Sequence, residues 1–199
     1  MRNLNFMATL LLAIIFIGCK HMPSPKDMLH RELHLPNIDS LEILYGKTDY
    51  AITLHSNNPK IVSYYNLAGC MSCRLKELRN WRCRIMELEH SNTLNADFIF
   101  LFRADSDNEH FMEEFRQTGF NHTVLLDTDG EFERLNELPK DSRYHTFLLD
   151  NNNRIILVGS PVYNAPFWER YKTRIKECNT NNRSEQQLPP ANIGHKKIT

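Results

Sequence analysis

Cys70-Met71-Ser72-Cys73 places two thiols three residues apart, and no other stretch of this chain points so directly to a chemistry. Three residues are close to one helical turn, so on a helix both sulfurs share a face. Such a pair exchanges disulfides when one thiol is exposed and ionised and the other can reach back. A helix N-terminus supplies the first condition, because its free N–H groups and dipole favour a thiolate and lower the cysteine pKa below its usual value of about 8.5. Cys70 would then attack a substrate disulfide and Cys73 would resolve the mixed disulfide. Arg74 would either add favourable charge or lie in solvent. A stable structural disulfide is the competing reading of the same pair. A zinc site formed with Cys83 and His90 has suitable residue types. However, Cys83 stands ten residues beyond Cys73 on the same expected helix, about 15 Å away at 1.5 Å per residue. One helix cannot gather all four, so no metal site is expected.

Positioning these thiols requires a strand before them and a helix after. Lys60–Asn66 is β-branched and aromatic and follows Asn57-Asn58-Pro59, which predicts a buried strand. Leu75, Leu78, Trp81, Ile85 and Leu88 recur at three or four residues and form one helical stripe. A second buried strand is predicted at 96–102. A helix from about Asp107 to Thr118 follows, with Phe111, Met112 and Phe115 inward and Gly119 as its stop. A third strand spans Thr123–Asp127. Two more, Tyr144–Leu149 and Arg154–Val158, flank Asp150-Asn151-Asn152-Asn153, a turn whose residues tolerate left-handed backbone. Phe167–Glu177 reads as a closing helix. Leu41–Tyr45 and Tyr50–Leu54 read as a further hairpin. The class is α/β.

The order strand, Cys-x-x-Cys, helix, strand, helix, strand, hairpin, helix resembles the thioredoxin-like family, specifically its extracytoplasmic members related to redoxins and cytochrome-maturation thiol reductases. The resemblance covers about residues 40–177. Besides the cysteines, Thr146-Phe147-Leu148-Leu149-Asp150 is similar to the family's Thr-Phe-Leu-Ile-Asp strand. Asn153-Arg154-Ile155-Ile156 stands where members commonly carry Gly-Lys-Ile-Val. The resemblance implies a thioredoxin-like fold, a central mixed β-sheet flanked by helices. It also implies a redox-active Cys70–Cys73 disulfide, protein thiols or disulfides as partners, and no cofactor. Three positions depart from the family. Gly69 stands where many members have Trp, Tyr144 where a cis-proline faces the disulfide, and Tyr64 where many bury an acid. With Tyr144 in the proline position, His145 would lie near the disulfide and tune the thiolate, or serve as a plain strand histidine. These departures keep open a non-catalytic thioredoxin-fold module that binds a partner and holds a structural disulfide. The Pro and Thr that precede a peroxiredoxin's reactive cysteine are absent around Cys70.

The N-terminus sets the expected compartment. After Arg2, Phe6–Ile17 is a run of twelve uncharged residues, the length of a signal h-region and short of the ~20 that span a bilayer. Phe16-Ile17-Gly18-Cys19 resembles the bacterial lipobox, which implies cleavage before Cys19 and a lipid on its thiol. The expected organisation is a lipoprotein signal peptide at 1–18, a tether at 19–38, the thioredoxin-like domain at 39–177 and a disordered tail at 178–199. The expected location is the cell envelope, lipid-anchored to a bacterial membrane with the domain outside the cytoplasm. Lys and Arg balance Asp and Glu at 24 each, which gives no basic footprint for nucleic acid. With seven glycines and no phosphate-loop pattern, nucleotide binding has no support either.

Overall fold

A computed structural model of the chain describes residues 22–45, 53, 55–66, 70–103 and 109–186. Ten elements position the cysteines. They are β1 (Glu42–Tyr45), β2 (Lys60–Asn66), α1 (Met71–Glu89), β3 (Asp97–Arg103), α2 (Glu109–Thr118), β4 (Val124–Leu126), α3 (Glu131–Leu135), β5 (Thr146–Leu149), β6 (Ile155–Val158) and α4 (Ala165–Gln186).

The strands form one mixed sheet in the order β1-β4-β3-β2-β5-β6. β2 lies parallel to β3, pairing Ile61 with Phe98 and Asn66 with Arg103. β3 is likewise parallel to β4, whereas β5 runs antiparallel to β2 and β6 antiparallel to β5. Two parallel crossover units followed by an antiparallel hairpin and a final helix, with the Cys-bearing strand in the middle, is the thioredoxin-like arrangement. It matches the fold expected from the sequence.

Alternation along the strands divides the core. Ile61, Tyr65, Phe100, Phe102 and Leu148 face one side, packed with Trp81 and Ile85 of α1, Phe111 of α2 and Trp168 and Tyr171 of α4. Val62, Tyr64, Ile99, Leu101, Phe147 and Leu149 face the other side with Met28, Leu33 and Phe132. Both faces are covered, which is why the strands read as continuous apolar runs.

Four expectations need correction. β1 pairs with β4, not with the second run of a hairpin. Thr53 and His55 in and beside that second run are helical, and the rest of it, with Gly46-Lys47-Thr48-Asp49, lies outside the described residues. The short helix α3 was not foreseen. The expected tether is a packed strap from residue 22 onward. Met28 and Leu33 are buried, and Arg31, Glu32 and Leu33 extend the sheet past β6, with Leu33 N–H donating to the Asn153 carbonyl at 2.9 Å and Ile155 N–H to that of Arg31 at 2.9 Å. Two apolar anchors without periodicity are enough when the backbone pairs with an open sheet edge.

The tail expected from 178 is helical as far as Gln186. Its asparagines are held by loops. Asn179 donates to the Asn95 carbonyl at 3.0 Å, Asn182 donates to that of Asn57, and Asn151 donates to the carbonyl of Cys178 at 3.4 Å. Cys19 and the signal segment lie outside the described residues.

Candidate functional site

Cys70 is the N-cap of α1, with extended backbone, and its Sγ accepts the Cys73 N–H at 3.3 Å. The two cysteines form a disulfide with Cα atoms 5.3 Å apart, and both residues are exposed. Helix α1 has no acidic residue in its first turn, so the positive end of the helix faces the Cys70 sulfur without a carboxylate of its own to offset it. The Ser72 hydroxyl also approaches that sulfur, at 3.4 Å.

Central strand β2, buried on both faces, and helix α1, buried along one, fix this geometry. Tyr65, near the end of β2, stacks on Phe102 and accepts the Trp81 indole N–H at 3.0 Å, a buried bond from strand to helix. Trp168 of α4 donates to Glu87 of α1 at 2.7 Å, with the Arg84 guanidinium over its ring.

Two loops meet the start of α1. Arg74 donates to the Ser142 hydroxyl at 2.6 Å, tying the helix to the 3-10 turn Ser142–Tyr144. Ser160 donates to Glu77 at 2.7 Å, tying it to the loop after β6. Arg74 is therefore occupied as a latch. Tyr144 is half-buried, and the two loops touch there: a Cβ on Gly159 would stand 3.8 Å from the Tyr144 ring. The φ of +109° at Gly159 is open to glycine and strained for other residues.

His145 does not sit against the disulfide. Its ring turns to the opposite face of the sheet, where Nε2 lies 2.7 Å from the Pro139 carbonyl and the ring centroid 5.9 Å from that of Tyr64. Among the described residues no hydrogen bond or ring contact joins it to either sulfur. Its backbone is the useful part, since the His145 carbonyl accepts the Tyr64 N–H at 2.9 Å and carries the turn onto β2. Burial pushes the His145 pKa down.

Tyr64, at the position of the family's acid, is buried on that same face. Among the described residues no group meets full hydrogen-bond geometry with its hydroxyl, the Glu133 carboxylate being nearby. Burial first, then the nearby Glu133 carboxylate, push its pKa far above the usual tyrosine range. It stays protonated and cannot replace a carboxylate as a base. Asn66 holds Glu133 at 3.0 Å.

Among the described residues no group of three or more His, Cys, Asp or Glu is placed to hold a metal ion. Cys83 is an exposed thiol and Cys178 a half-buried one, its pKa raised mainly by burial. Sequence reasoning missed the Ser72 contact and the Arg74–Ser142 latch. The first was legible as a hydroxyl inside the motif, whereas the second joins residues 68 apart and left no local signal.

No family model matches the chain, and no curated protein matches it in sequence. Solved structures similar to it include a candidate protein disulfide isomerase from Bacteroides thetaiotaomicron. That chain is 17% identical with a TM-score of 0.48, the match covering 69% of this chain and 83% of that one. A candidate electron-transfer protein from Aquifex aeolicus is 14% identical with a TM-score of 0.49, over 74% and 97%. Xanthomonas campestris peroxiredoxin Q is 14% identical with a TM-score of 0.44, over 63% and 82%. The fold assignment rests on the strand order and register described above.

Proposed function

We propose that this chain is a thiol–disulfide oxidoreductase that exchanges disulfides with proteins of a bacterial cell envelope, held at the membrane by lipid on Cys19. The observation that carries the reading is an exposed Cys70–Cys73 disulfide capping a helix whose first turn holds no acid. The lipid anchor and compartment rest on the sequence Phe6–Cys19 alone.

In the reducing direction the Cys70 thiolate attacks one sulfur of a substrate disulfide. A Cys70–substrate bond forms and the other substrate sulfur leaves as a thiolate. Cys73 then loses its proton and attacks Cys70 Sγ, which restores the Cys70–Cys73 disulfide and releases the second substrate sulfur. Two electrons pass to the substrate, and a dithiol partner must return them for turnover. The oxidising direction runs the same steps in reverse.

Cys73→Ser removes the resolving thiol and should accumulate mixed disulfides through Cys70, seen as dithiothreitol-sensitive bands on a non-reducing gel. A lane without them, with Cys70 alkylatable, would count against catalysis. Cys19→Ser should release the protein from the membrane fraction or leave unprocessed precursor, and normal attachment would remove the anchor from the proposal.

Tyr144 favours a second reading. A bulky ring packed toward Gly159 occupies the position where the family resemblance implies a substrate-facing proline. In that reading the chain is a non-catalytic envelope lipoprotein that binds a partner, and the disulfide is structural.

A further inference from the structure

Resting on the lipid anchor proposed at Cys19, the start of the strap bears on how the domain meets its membrane. The chain is pinned from Pro23 onward. Ser24 donates its N–H and its hydroxyl to the Asp27 carboxylate, at 2.8 and 2.7 Å, and the Asp27 N–H returns to the Ser24 carbonyl at 3.0 Å. Met28 is buried, and the Asn136 side chain accepts the His34 N–H at 2.9 Å and donates to its carbonyl at 2.8 Å. Pro23 is buried, while Met22 beside it is 58% exposed. These two residues line a cavity of about 430 Å³ together with Asn66, Leu138, Pro139 and His145. Asn66 is the last residue of β2, and Cys70 follows it by four residues. The strap therefore begins at the end of the sheet that carries the disulfide.

Cys19 stands three residues before Met22. Three trans peptides reach at most about 11 Å, at roughly 3.8 Å each. The headgroup layer on each side of a bilayer is about 5–8 Å thick. With its acyl chains in hydrocarbon, Cys19 has too little reach for a domain pinned from Pro23 to swing clear of that layer. We propose that the end of the sheet carrying Cys70 docks on the lipid headgroups, with Met22 at the contact, and that the disulfide works on partner thiols held at the membrane surface. Charge does not choose this face, since Arg134 and Lys140 on the cavity are matched there by Glu133 and Glu137. The short link chooses it.

The test uses acylated full-length protein, reduced and reconstituted in phosphatidylethanolamine–phosphatidylglycerol vesicles. A bulky, membrane-impermeant maleimide is added, and its rates at the Cys70–Cys73 peptide and at Cys83 are compared. Cys83 is an exposed thiol ten residues beyond Cys73 on α1. That helix carries the chain back toward the start of β3, so Cys83 lies about 15 Å farther from the docked end, at 1.5 Å per residue. It serves as the internal reference. The comparison protein carries a Gly/Ser spacer of about twelve residues between His21 and Met22, which adds about 20 Å of reach and leaves the lipid and every packed residue in place. The rate at the cysteine pair relative to Cys83 should be several-fold lower in the wild type than in the spacer variant. Equal ratios overturn the docking. Flotation with the vesicles reads the anchor separately. Protein that floats with equal ratios loses the docking and keeps the anchor, whereas protein that does not float loses both. A redox titration of the same sample shows whether disulfide exchange itself fails.

Discussion

At His145 the bonding partner fixes the tautomer. A carbonyl can only accept, so Nε2 carries the proton that goes to Pro139, and Nδ1 is left buried with no hydrogen-bond partner among the described residues. Protonating Nδ1 would place a charge there, and burial accordingly lowers the pKa, outweighing the raising effects of Pro139 and Glu133. The sign follows. Above the unfolded value of about 6.5 the ring is neutral in both states and costs nothing. As pH falls, the unfolded chain takes the proton first, so stability declines until the lower folded-state pKa is passed. His122, lowered chiefly by burial, acts in the same direction. Urea midpoints should therefore fall between about pH 7 and pH 5. His145→Gln keeps a donor for Pro139 without a titrating nitrogen and should flatten that slope, while an unchanged slope would contradict the tautomer argument. Tyr65→Phe makes a separate test. It strands the Trp81 indole N–H in the core and should cost about 1–3 kcal/mol in chemical denaturation.

Elements that bury a periodic face were legible in the sequence, and those held by polar contacts were not. Strand β2 and helix α1 announce themselves through Ile61, Val62 and Tyr65 and through the Leu75–Leu88 stripe, because both bury large apolar surfaces. Helix α3 spans five residues, too short for a period to show. It exists because the buried Asp127 carboxylate accepts the N–H groups of Glu131 and Phe132, at 2.7 and 3.0 Å. The cysteine motif was legible at the site. The orientation of His145 was not, since the choice of face is made by Pro139 and Tyr64, neither of which the motif contains. The strap and the end of α4 belong with the unread elements, and each can be measured. Leu33→Ala should cost about 2–5 kcal/mol, as for a buried leucine, whereas a free tether would lose nothing. A chain ending at 177 should be less stable than one ending at 186 by about 1–3 kcal/mol, the net worth of two or three hydrogen bonds. Equal urea midpoints for the two would mean that the asparagine contacts do not hold the helix end.

Across the whole molecule the central strand separates two kinds of stabilisation. At the C-terminal end of β2 sit Cys70, the first turns of α1, the Ser142–Tyr144 turn and the loop after β6. At its N-terminal end Asn57, Asn58 and Asn95 meet Asn179 and Asn182 of α4. Seven extended residues, about 23 Å at 3.3 Å each, lie between. Changes that far apart should add independently, so Asn182→Ala should lower stability without moving the disulfide's potential. The central claim is that the cysteine pair works as a redox couple, and a redox titration of the full-length protein, read by alkylation of Cys70 and Cys73, tests it most directly. A working pair should show a reversible two-electron couple at roughly −120 to −270 mV, the range of exchange proteins. A potential well below about −300 mV, or no reversible couple between these two cysteines, would contradict it and make the disulfide structural.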